Sequence, residues 1–204
     1  MACALTDLLL FFVGASPARF STIVSYDLST QALTEIKCAS DVTLDKRYIS
    51  VPTAIEFVTE GDETAHAFYY PPSNGDFEAP LGELPPLLVI LHGGPTGASH
   101  SALSLGTQYW TSRGFALLDV NYRGSSGYGR QYRDRLRLNW GITDVQDTVH
   151  GANYLVAEGK ADQRRLAIRG GSAGGFTALA ALTFADTFKA GASHYGIGDL
   201  EALA

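Results

Sequence analysis

The chain has few of the residues that cross-link or anchor a protein. Only two of its 204 residues are cysteines, Cys3 and Cys38, and they lie in unrelated contexts. The sequence therefore predicts neither a disulfide framework nor a cysteine metal site, and no metal is expected. It also lacks an Asn-x-Ser/Thr glycosylation signal, which favours a cytoplasmic chain. These absences argue against a small secreted domain held together by disulfides.

Long apolar runs and excess positive charge are also missing. No hydrophobic stretch approaches the ~20 residues that a membrane-spanning helix requires. The apolar run Leu8 to Ala15 has no basic residue before it, so it predicts a buried strand and not a signal peptide. The formal net charge of −6 gives no attraction for nucleic acid or an anionic membrane, and neither partner is expected. The arginines between 123 and 137 are predicted to pair with nearby carboxylates.

The first fifty residues predict β-strands only. Alternating and apolar runs at residues 8–14, 21–28 and 32–36 are separated by short polar turns, which is the spacing of antiparallel blades. A few strands of this kind are marginally stable by themselves. We therefore expect this segment to be the last part of a larger all-β unit.

From residue 51 onward the pattern changes to an α/β one. A hairpin is predicted at residues 54–70, followed by a surface loop through residue 86. Further strands are predicted at residues 87–91, 115–120, 166–168 and 190–195, and helices at 101–113, 144–158 and 176–184. This alternation predicts right-handed crossovers and a mostly parallel sheet with flanking helices. Because ligands bind beyond the carboxyl ends of such strands, the loops that follow them should share one crevice.

A serine lies at the apex of a glycine-rich turn. Gly170–Gly175 reads GGSAGG and joins the strand at 166–168 to the helix at 176–184. A G-x-S-x-G turn lifts a serine hydroxyl above the end of a strand. This pattern makes Ser172 a candidate nucleophile, and the N–H of Ala173 at the start of the helix could face a developing oxyanion.

A second glycine motif follows the first buried strand. In His92-Gly93-Gly94-Pro95 the two glycines let the main chain approach a ligand closely. The N–H of Gly94 is the candidate second oxyanion donor, and losing one such donor typically costs ~10²–10³ in turnover. We expect His92 and Gly93 to border the substrate pocket, with His92 orienting the backbone.

The loop NYRGSSGYG at residues 121–129 is too long for a simple crossover turn. Tyr122 and Tyr128 could wall a pocket, while Arg123 ties the backbone to a carboxylate. A Gly- and Ser-rich loop is weak evidence when taken alone.

Taken together, four motifs resemble the catalytic domain of prolyl oligopeptidase-family serine peptidases. HGGP, NYRGSSGYG, WGITDVQD (Trp140–Asp147) and RLAIRGGSAGG follow one another in that order. The resemblance is greatest to the acylaminoacyl-peptidase and dipeptidyl-aminopeptidase branch, and it covers the chain from about Pro85 to its end. It implies an α/β-hydrolase domain preceded by a β-propeller that filters substrates by size.

The resemblance assigns a domain and a role to each part of the chain. Residues 1–50 would be the terminal strands of the propeller, and residues 51–204 the N-terminal portion of the hydrolase domain. The implied function is hydrolysis of peptide or acyl-peptide bonds through an acyl-enzyme on Ser172. A peptide is the expected substrate, no cofactor is implied, and the oligomeric state stays open.

The order of catalytic groups is where the chain departs from this pattern. In α/β-hydrolases an acid and then a histidine follow the serine. Asp186 and His194 have the right order, but Asp186 belongs at the far end of the helix. His194 ends the adjacent strand and could face the crevice and border the pocket, yet no acid is clearly placed to orient it. We therefore expect a hydrolase domain incomplete at its C-terminus, lacking its Asp and His and inactive alone, since an unassisted serine is a poor nucleophile.

Two other readings remain open. The turn Gly170–Gly175 could cradle a phosphate at a helix N-terminus, as in a nucleotide-binding α/β module. A dinucleotide site of this kind would require an acidic residue at the end of the next strand, where the sequence has His194-Tyr195. The chain could also be a non-catalytic short form that binds substrate or pairs with a longer partner.

Overall fold

The first of two sheets is a four-stranded antiparallel meander. A computed structural model describes residues 3–5 and 8–201 of the chain. Residues 1, 2, 6 and 7 of the first predicted domain and residues 202–204 of the second therefore lie outside the described residues. The strands pair in chain order, as short turns dictate: β1 (Cys3–Leu5), β2 (Leu9–Ser16), β3 (Arg19–Asp27) and β4 (Leu33–Cys38). The strand predicted at residues 8–14 is present as β2, but its residues are half-buried or exposed, not buried.

The second sheet is mixed, with six strands in the order β10-β9-β7-β8-β6-β5. They are β5 (Thr53–Val58), β6 (Thr64–Tyr70), β7 (Leu87–Leu91), β8 (Ala116–Asn121), β9 (Leu166–Gly171) and β10 (Ala190–His194). Strands β7 to β10 run parallel, and the hairpin β5–β6 adds to β8 in antiparallel fashion. The predicted, mostly parallel sheet with flanking helices is confirmed.

Four α-helices connect these strands: α1 (Leu105–Thr111), α2 (Arg130–Asp134), α3 (Thr143–Ala157) and α4 (Ala173–Phe184). Helix α1 begins later than predicted, because Ser104 is extended and its Oγ accepts a hydrogen bond from the Thr107 N–H, a typical N-cap. Of the helices in the described part, none combines the length and hydrophobicity that crossing a bilayer takes.

The main core lies between the sheet and the helices α3 and α4. Its fully buried side chains include Leu118, Leu155 and Ile168, and burying each contributes about 1.5–3 kcal/mol. The opposite face carries a smaller cluster around Leu88 and Leu117, against which Trp110 of α1 packs. Both faces of β7 are therefore covered by apolar side chains, as its unbroken hydrophobic run requires, whereas the neighbouring strand β8 is apolar except at Asp119 and Asn121.

The carboxyl ends of β7, β8, β9 and β10 lie at one edge of the sheet. The loops that leave this edge carry the HGGP, NYRGSSGYG and GGSAGG motifs. Strand β10 is the outermost of the four, and all five of its residues are exposed. The fold thus brings the predicted motifs to one side of the molecule.

Candidate active site

Ser172 occupies a sharp, strained turn between β9 and α4. Its backbone has φ 53° and ψ −121°, a conformation that costs a non-glycine residue of order 1–3 kcal/mol. Its N–H donates to the carbonyl of His194 at 3.1 Å, which ties the turn to β10. The side chain does not cap α4, so the hydroxyl makes no capping hydrogen bond to the first turn of the helix.

Glycines flank this serine because the backbones cross too closely for side chains. A Cβ on Gly170 would lie 2.2 Å from the carbonyl oxygen of Gly174, and one on Gly174 would lie 2.6 Å from that of Leu91. Real Cβ contacts are not this short, so the GGSAGG spacing is a packing requirement of the turn.

The HGGP loop passes directly beside the serine. A Cβ on Gly93 would lie 3.5 Å from Ser172 Cβ and 4.0 Å from its Oγ. The N–H groups of Gly94 and Ala173 have no hydrogen-bond acceptor among residues 8–201. Two unpaired donors from two loops next to a serine hydroxyl could stabilise an oxyanion formed on attack.

His92 is half-buried, and both of its ring nitrogens have partners within the protein. Its Nδ1 lies 2.8 Å from the Gly93 carbonyl and its Nε2 lies 2.7 Å from Ser125 Oγ. The ring stacks on Tyr122 with centroids 4.5 Å apart. Burial lowers the pKa of His92 below its ordinary value, so the ring is neutral near pH 7. Because both nitrogens are engaged, His92 supports the loop, and its predicted place beside the substrate pocket stays a prediction.

The two tyrosines of the NYRGSSGYG loop have different surroundings. Tyr122 is fully buried, and its hydroxyl donates to the carbonyl of Pro95 at 2.7 Å. It packs beneath the HGGP loop, and its predicted place in the wall of a pocket stays a prediction. Tyr128 is partly exposed and stacks on His66 at 4.1 Å, while its hydroxyl accepts from Asn121 Nδ2 at 3.0 Å. Tyr128 thus keeps a surface that a substrate could touch.

Arg123 forms the predicted link to a carboxylate, and the partner is Asp147. The guanidinium lies 2.8 Å from Asp147 Oδ1, and the Arg123 backbone N–H donates to Oδ2 at 2.6 Å. Thr59 Oγ1 donates to the same carboxylate at 2.7 Å. The buried pair joins the loop at 121–129 to α3 and to the β5–β6 hairpin. At the surface, Arg135 pairs with Glu63 and Arg133 lies near Asp134.

Sequence reasoning missed a polar network behind the HGGP loop. The Ser99 N–H donates to Asn121 Oδ1 at 2.8 Å, and Ser99 Oγ donates to Asp119 at 2.5 Å. Burial raises the pKa of Asp119 to about 6. These contacts join residues about 20 positions apart, so no local motif signals them. Together with Ser126, whose N–H donates to the Gly97 carbonyl at 2.9 Å, they fasten the HGGP loop to the end of β8.

Among residues 8–201, no hydrogen bond or ion pair joins the side chain of His194 or Asp186 to Ser172. His194 lies on exposed β10, and no ion pair joins it to a carboxylate of residues 8–201. Asp186 follows the end of α4 at Phe184, and twelve helical residues span about 18 Å. The described residues also contain no cluster of His, Cys, Asp or Glu suited to a metal ion.

We expect Gly97→Ala to disturb the HGGP loop. A Cβ there would lie 2.5 Å from the Gly93 carbonyl oxygen and 3.2 Å from His92 Nδ1, so that carbonyl must move. Such overpacking costs about 1–3 kcal/mol, which urea denaturation would measure. Gly127→Ala is the control, since a Cβ at Gly127 meets nothing within 4 Å and carries only the cost of its positive φ of 97°. Equal losses in the two variants would contradict the steric account.

These features define a class of protein. A mixed sheet flanked by helices, with a strained serine between a parallel strand and the helix after it, is the architecture of an α/β-hydrolase. Residues 101–204 match the model of the prolyl oligopeptidase family, and the chain belongs to that family.

Relatives and solved structures agree with this assignment. A puromycin-hydrolyzing peptidase of Mycobacterium tuberculosis superposes with a TM-score of 0.96 at 43% identity, covering 98% of this chain and 30% of that one. The dipeptidyl peptidase family member 6 of Caenorhabditis elegans is 29% identical over 87% of this chain and 24% of its own length. The acylamino-acid-releasing enzyme of Arabidopsis thaliana is 32% identical over 79% of this chain and 19% of its own. The chain thus spans about a quarter of the length of these curated relatives.

Proposed function

We propose that the chain carries the nucleophile and oxyanion donors of a serine peptidase that hydrolyses peptide or acyl-peptide bonds. Ser172 Oγ attacks the substrate carbonyl while a base takes its proton; the scissile C–N bond breaks, and the amine leaves with that proton. Water then hydrolyses the acyl-enzyme ester, which releases the acid and restores the Ser172 hydroxyl. The N–H groups of Gly94 and Ala173 bind the oxyanion, while Gly93 and the exposed part of Tyr128 border the substrate.

The geometry of Ser172 is the observation that carries this proposal. A strained φ of 53° is kept in folded proteins where surrounding structure enforces it, most often at functional sites. Here the strain raises a hydroxyl that caps nothing to a position beside Gly93 and two unpaired N–H groups. A serine needed only as a helix cap would instead accept a hydrogen bond, through its side-chain oxygen, from a backbone N–H of the first turn.

Activation of Ser172 needs a base, and we infer that neither His92 nor His194 supplies it. His92 has both nitrogens engaged within the protein, and His194 has no carboxylate partner among residues 8–201. We therefore propose that the acid and the histidine are contributed by residues other than those described. The 204-residue chain would then be inactive alone, because removing the base leaves only the modest catalysis of the oxyanion donors.

The domain assignment is also a proposal. The four-stranded meander of residues 3–38 has the strand order of a propeller blade, which supports residues 1–50 as terminal propeller strands. Residues 51–204 would be the N-terminal portion of the hydrolase domain. The names of the relatives, an acylamino-acid-releasing enzyme and a dipeptidyl peptidase, support a peptide as substrate.

Labelling by a fluorophosphonate probe tests the proposal. The probe phosphonylates an activated serine and needs no knowledge of the substrate. We expect little labelling of the 204-residue chain. We expect rapid labelling of a fusion that appends the residues of the M. tuberculosis relative that follow the matched region. Tandem mass spectrometry should place the adduct on Ser172.

The outcomes separate the parts of the proposal. Rapid labelling of the 204-residue chain would show that the chain contains its own base, while Ser172 would still be the nucleophile. A folded fusion that stays unlabelled while binding a substrate peptide would support the non-catalytic short form, and the peptidase assignment would fail.

A further inference from the structure

A buried carboxylate at the start of α3 has no part in the proposed chemistry. Asp144 is 0% exposed and lies in the first turn of that helix. Its Oδ1 accepts a hydrogen bond from the Gly141 N–H at 2.6 Å, and its Oδ2 accepts one from the Thr177 hydroxyl at 2.5 Å. The buried guanidinium of Arg123 pairs with Asp147 instead. Among the described residues, Asp144 is therefore held by hydrogen bonds and by no ion pair.

A buried carboxylate without a cation is costly for the fold to keep. Taking a charge out of water costs free energy that hydrogen bonds offset only in part, and burial accordingly raises the pKa of Asp144. An uncharged residue could fill the same space at a lower cost. Residues that break such a rule are typical of functional sites. One of the two partners, Thr177, belongs to α4, the helix that begins directly after Ser172.

The surface that α4 buries is smooth. Within the described residues, Thr177 is the one polar side chain among those that this helix buries, which are Ala173, Gly174, Gly175, Thr177, Ala178, Ala180 and Ala181. Packing of small apolar groups is non-directional, so it resists a small rotation or slide of the helix only weakly. A hydrogen bond to a carboxylate is short and directional. The bond from Thr177 to Asp144 therefore fixes the rotation and the slide of α4.

The segment just before Asp144 packs on the same turn of α4. The ring of Trp140 meets that of Phe176 edge-on, with centroids 5.2 Å apart. The Phe176 N–H donates to the Ser172 carbonyl at 3.1 Å. In a trans peptide the C=O and the following N–H point in opposite directions, so this bond turns the Ala173 N–H away from the body of the helix. A movement of Phe176 and Thr177 would redirect that N–H.

We propose that Asp144, acting through Thr177, is a positioning residue that keeps Ser172 Oγ and the Ala173 N–H aligned with the substrate carbonyl. This inference rests on the proposed roles of Ser172 and Ala173. Thr177 has a single hydroxyl hydrogen, and the carboxylate takes it. Without Asp144 that hydrogen would go to the Ala173 carbonyl, which lies 3.2 Å from Oγ1. A threonine bonded to the carbonyl four residues back often bends its helix.

Replacement of Thr177 by valine and by serine tests this role in the fusion chain. Valine has the shape of threonine without the hydroxyl, whereas serine keeps the hydroxyl. We expect Thr177→Val to lower kcat about 10- to 100-fold, as small misplacements of reacting groups do, with KM changed less than about twofold. Thr177→Ser should recover most of that loss. An unchanged kcat in Thr177→Val, equal losses in the two variants, or a change confined to KM would overturn the proposal.

Thr148→Val is the matched control for a loss of stability. Thr148 is 0% exposed, like Thr177, and its hydroxyl donates to the backbone carbonyl of Asp144 at 2.6 Å. It lies on α3, and its side chain makes no hydrogen bond to α4 among the described residues. We expect Thr148→Val and Thr177→Val to lower the urea midpoint similarly, while Thr148→Val leaves kcat within about twofold. A loss of kcat as large as that of Thr177→Val would mean that any weakening of this part of the core slows the enzyme, and the proposal would fail.

A double variant shows whether Asp144 acts through Thr177. Asparagine fills the same space but has one acceptor oxygen in place of two, so Asp144→Asn should lower kcat by about tenfold or more. If the two residues act as one unit, adding Thr177→Val to Asp144→Asn should make the enzyme no slower than the slower single variant. Losses that multiply would show that the residues act independently, and the proposal would be wrong.

A crystal structure of the Thr177→Val fusion separates this inference from the proposed function. We expect the first turn of α4 and Ser172 Oγ to move by about 0.5 Å or more, which exceeds the tolerance of a catalytic site, while the strands of the sheet superpose on those of the unmodified fusion. An unmoved turn would refute the positioning role whatever the kcat. A displaced turn, where the probe does not label the unmodified fusion, would leave the positioning geometry intact and locate the failure in the proposed function.

Discussion

Replacing Ser172 with alanine is expected to abolish phosphonylation and to lower kcat of the fusion chain roughly 10⁶-fold, the scale on which serine peptidases lose activity with their nucleophile. Alanine keeps the Cβ and the strained φ of 53°, so the substitution removes the oxygen and little else. Substrate affinity should be nearly unchanged, because the hydroxyl acts on the reacting carbonyl and not on binding. Single-turnover kinetics with an acyl-peptide, together with a binding titration, would measure both quantities.

Ser172→Gly serves as the companion variant. It lacks the same hydroxyl, but glycine adopts this backbone conformation without strain. Ser172→Gly should therefore be as inactive as Ser172→Ala and more stable to urea by about 1–3 kcal/mol. Residual phosphonylation above a few per cent in either variant would show that another residue is the nucleophile.

Replacing Asp147 with alanine is expected to cost the most stability of any substitution considered for this chain. The Arg123 and Asp147 side chains are only 9% and 0% exposed. Removing the carboxylate would leave a buried guanidinium without its partner and Thr59 without its acceptor. Breaking a buried ion pair in this way typically costs 3–5 kcal/mol. Urea denaturation followed by circular dichroism would measure the free energy of unfolding.

Two controls separate the buried pair from ion pairs in general. Glu63 pairs with Arg135 at 2.8 Å, but the two side chains are 40% and 39% exposed, so Glu63→Ala should cost less than about 1 kcal/mol. The double variant Arg123→Met, Asp147→Leu removes both charges and should be less destabilised than Asp147→Ala. If Asp147→Ala cost no more than Glu63→Ala, Asp147 would not anchor the loop at 121–129.

Elements with strong local signals could be predicted from the sequence. Strand β7 has the expected bounds, Leu87–Leu91, because Pro86 and the HGGP glycines delimit a wholly apolar run. Helix α3 lies within one residue of its expected limits at both ends. The convergence of the serine, HGGP and NYRGSSGYG loops also followed from sequence, since parallel strands bring their carboxyl ends to one edge.

Features that depend on tertiary contacts could not be predicted in this way. The short helix α2 follows Gly129 and has no side-chain cap, so it carries no start signal. Tyr122 and Tyr128 belong to one aromatic-rich loop, and only packing decides that the first is buried beneath Pro95. Ser99 and Ser125 contact groups that are 20 and 33 positions away in the sequence. At such separations no periodic pattern of residues predicts which side chains will meet.

The crystal structure of the fluorophosphonate adduct of the fusion chain tests the central claim most directly. In the adduct the phosphonyl oxygen stands where the oxyanion of a substrate would stand. We predict that it accepts hydrogen bonds from the N–H groups of Gly94 and Ala173 at about 2.7–3.1 Å, with phosphorus bonded to Ser172 Oγ. An adduct on Ser172 whose phosphonyl oxygen points to solvent, or to neither of these amides, would contradict the account.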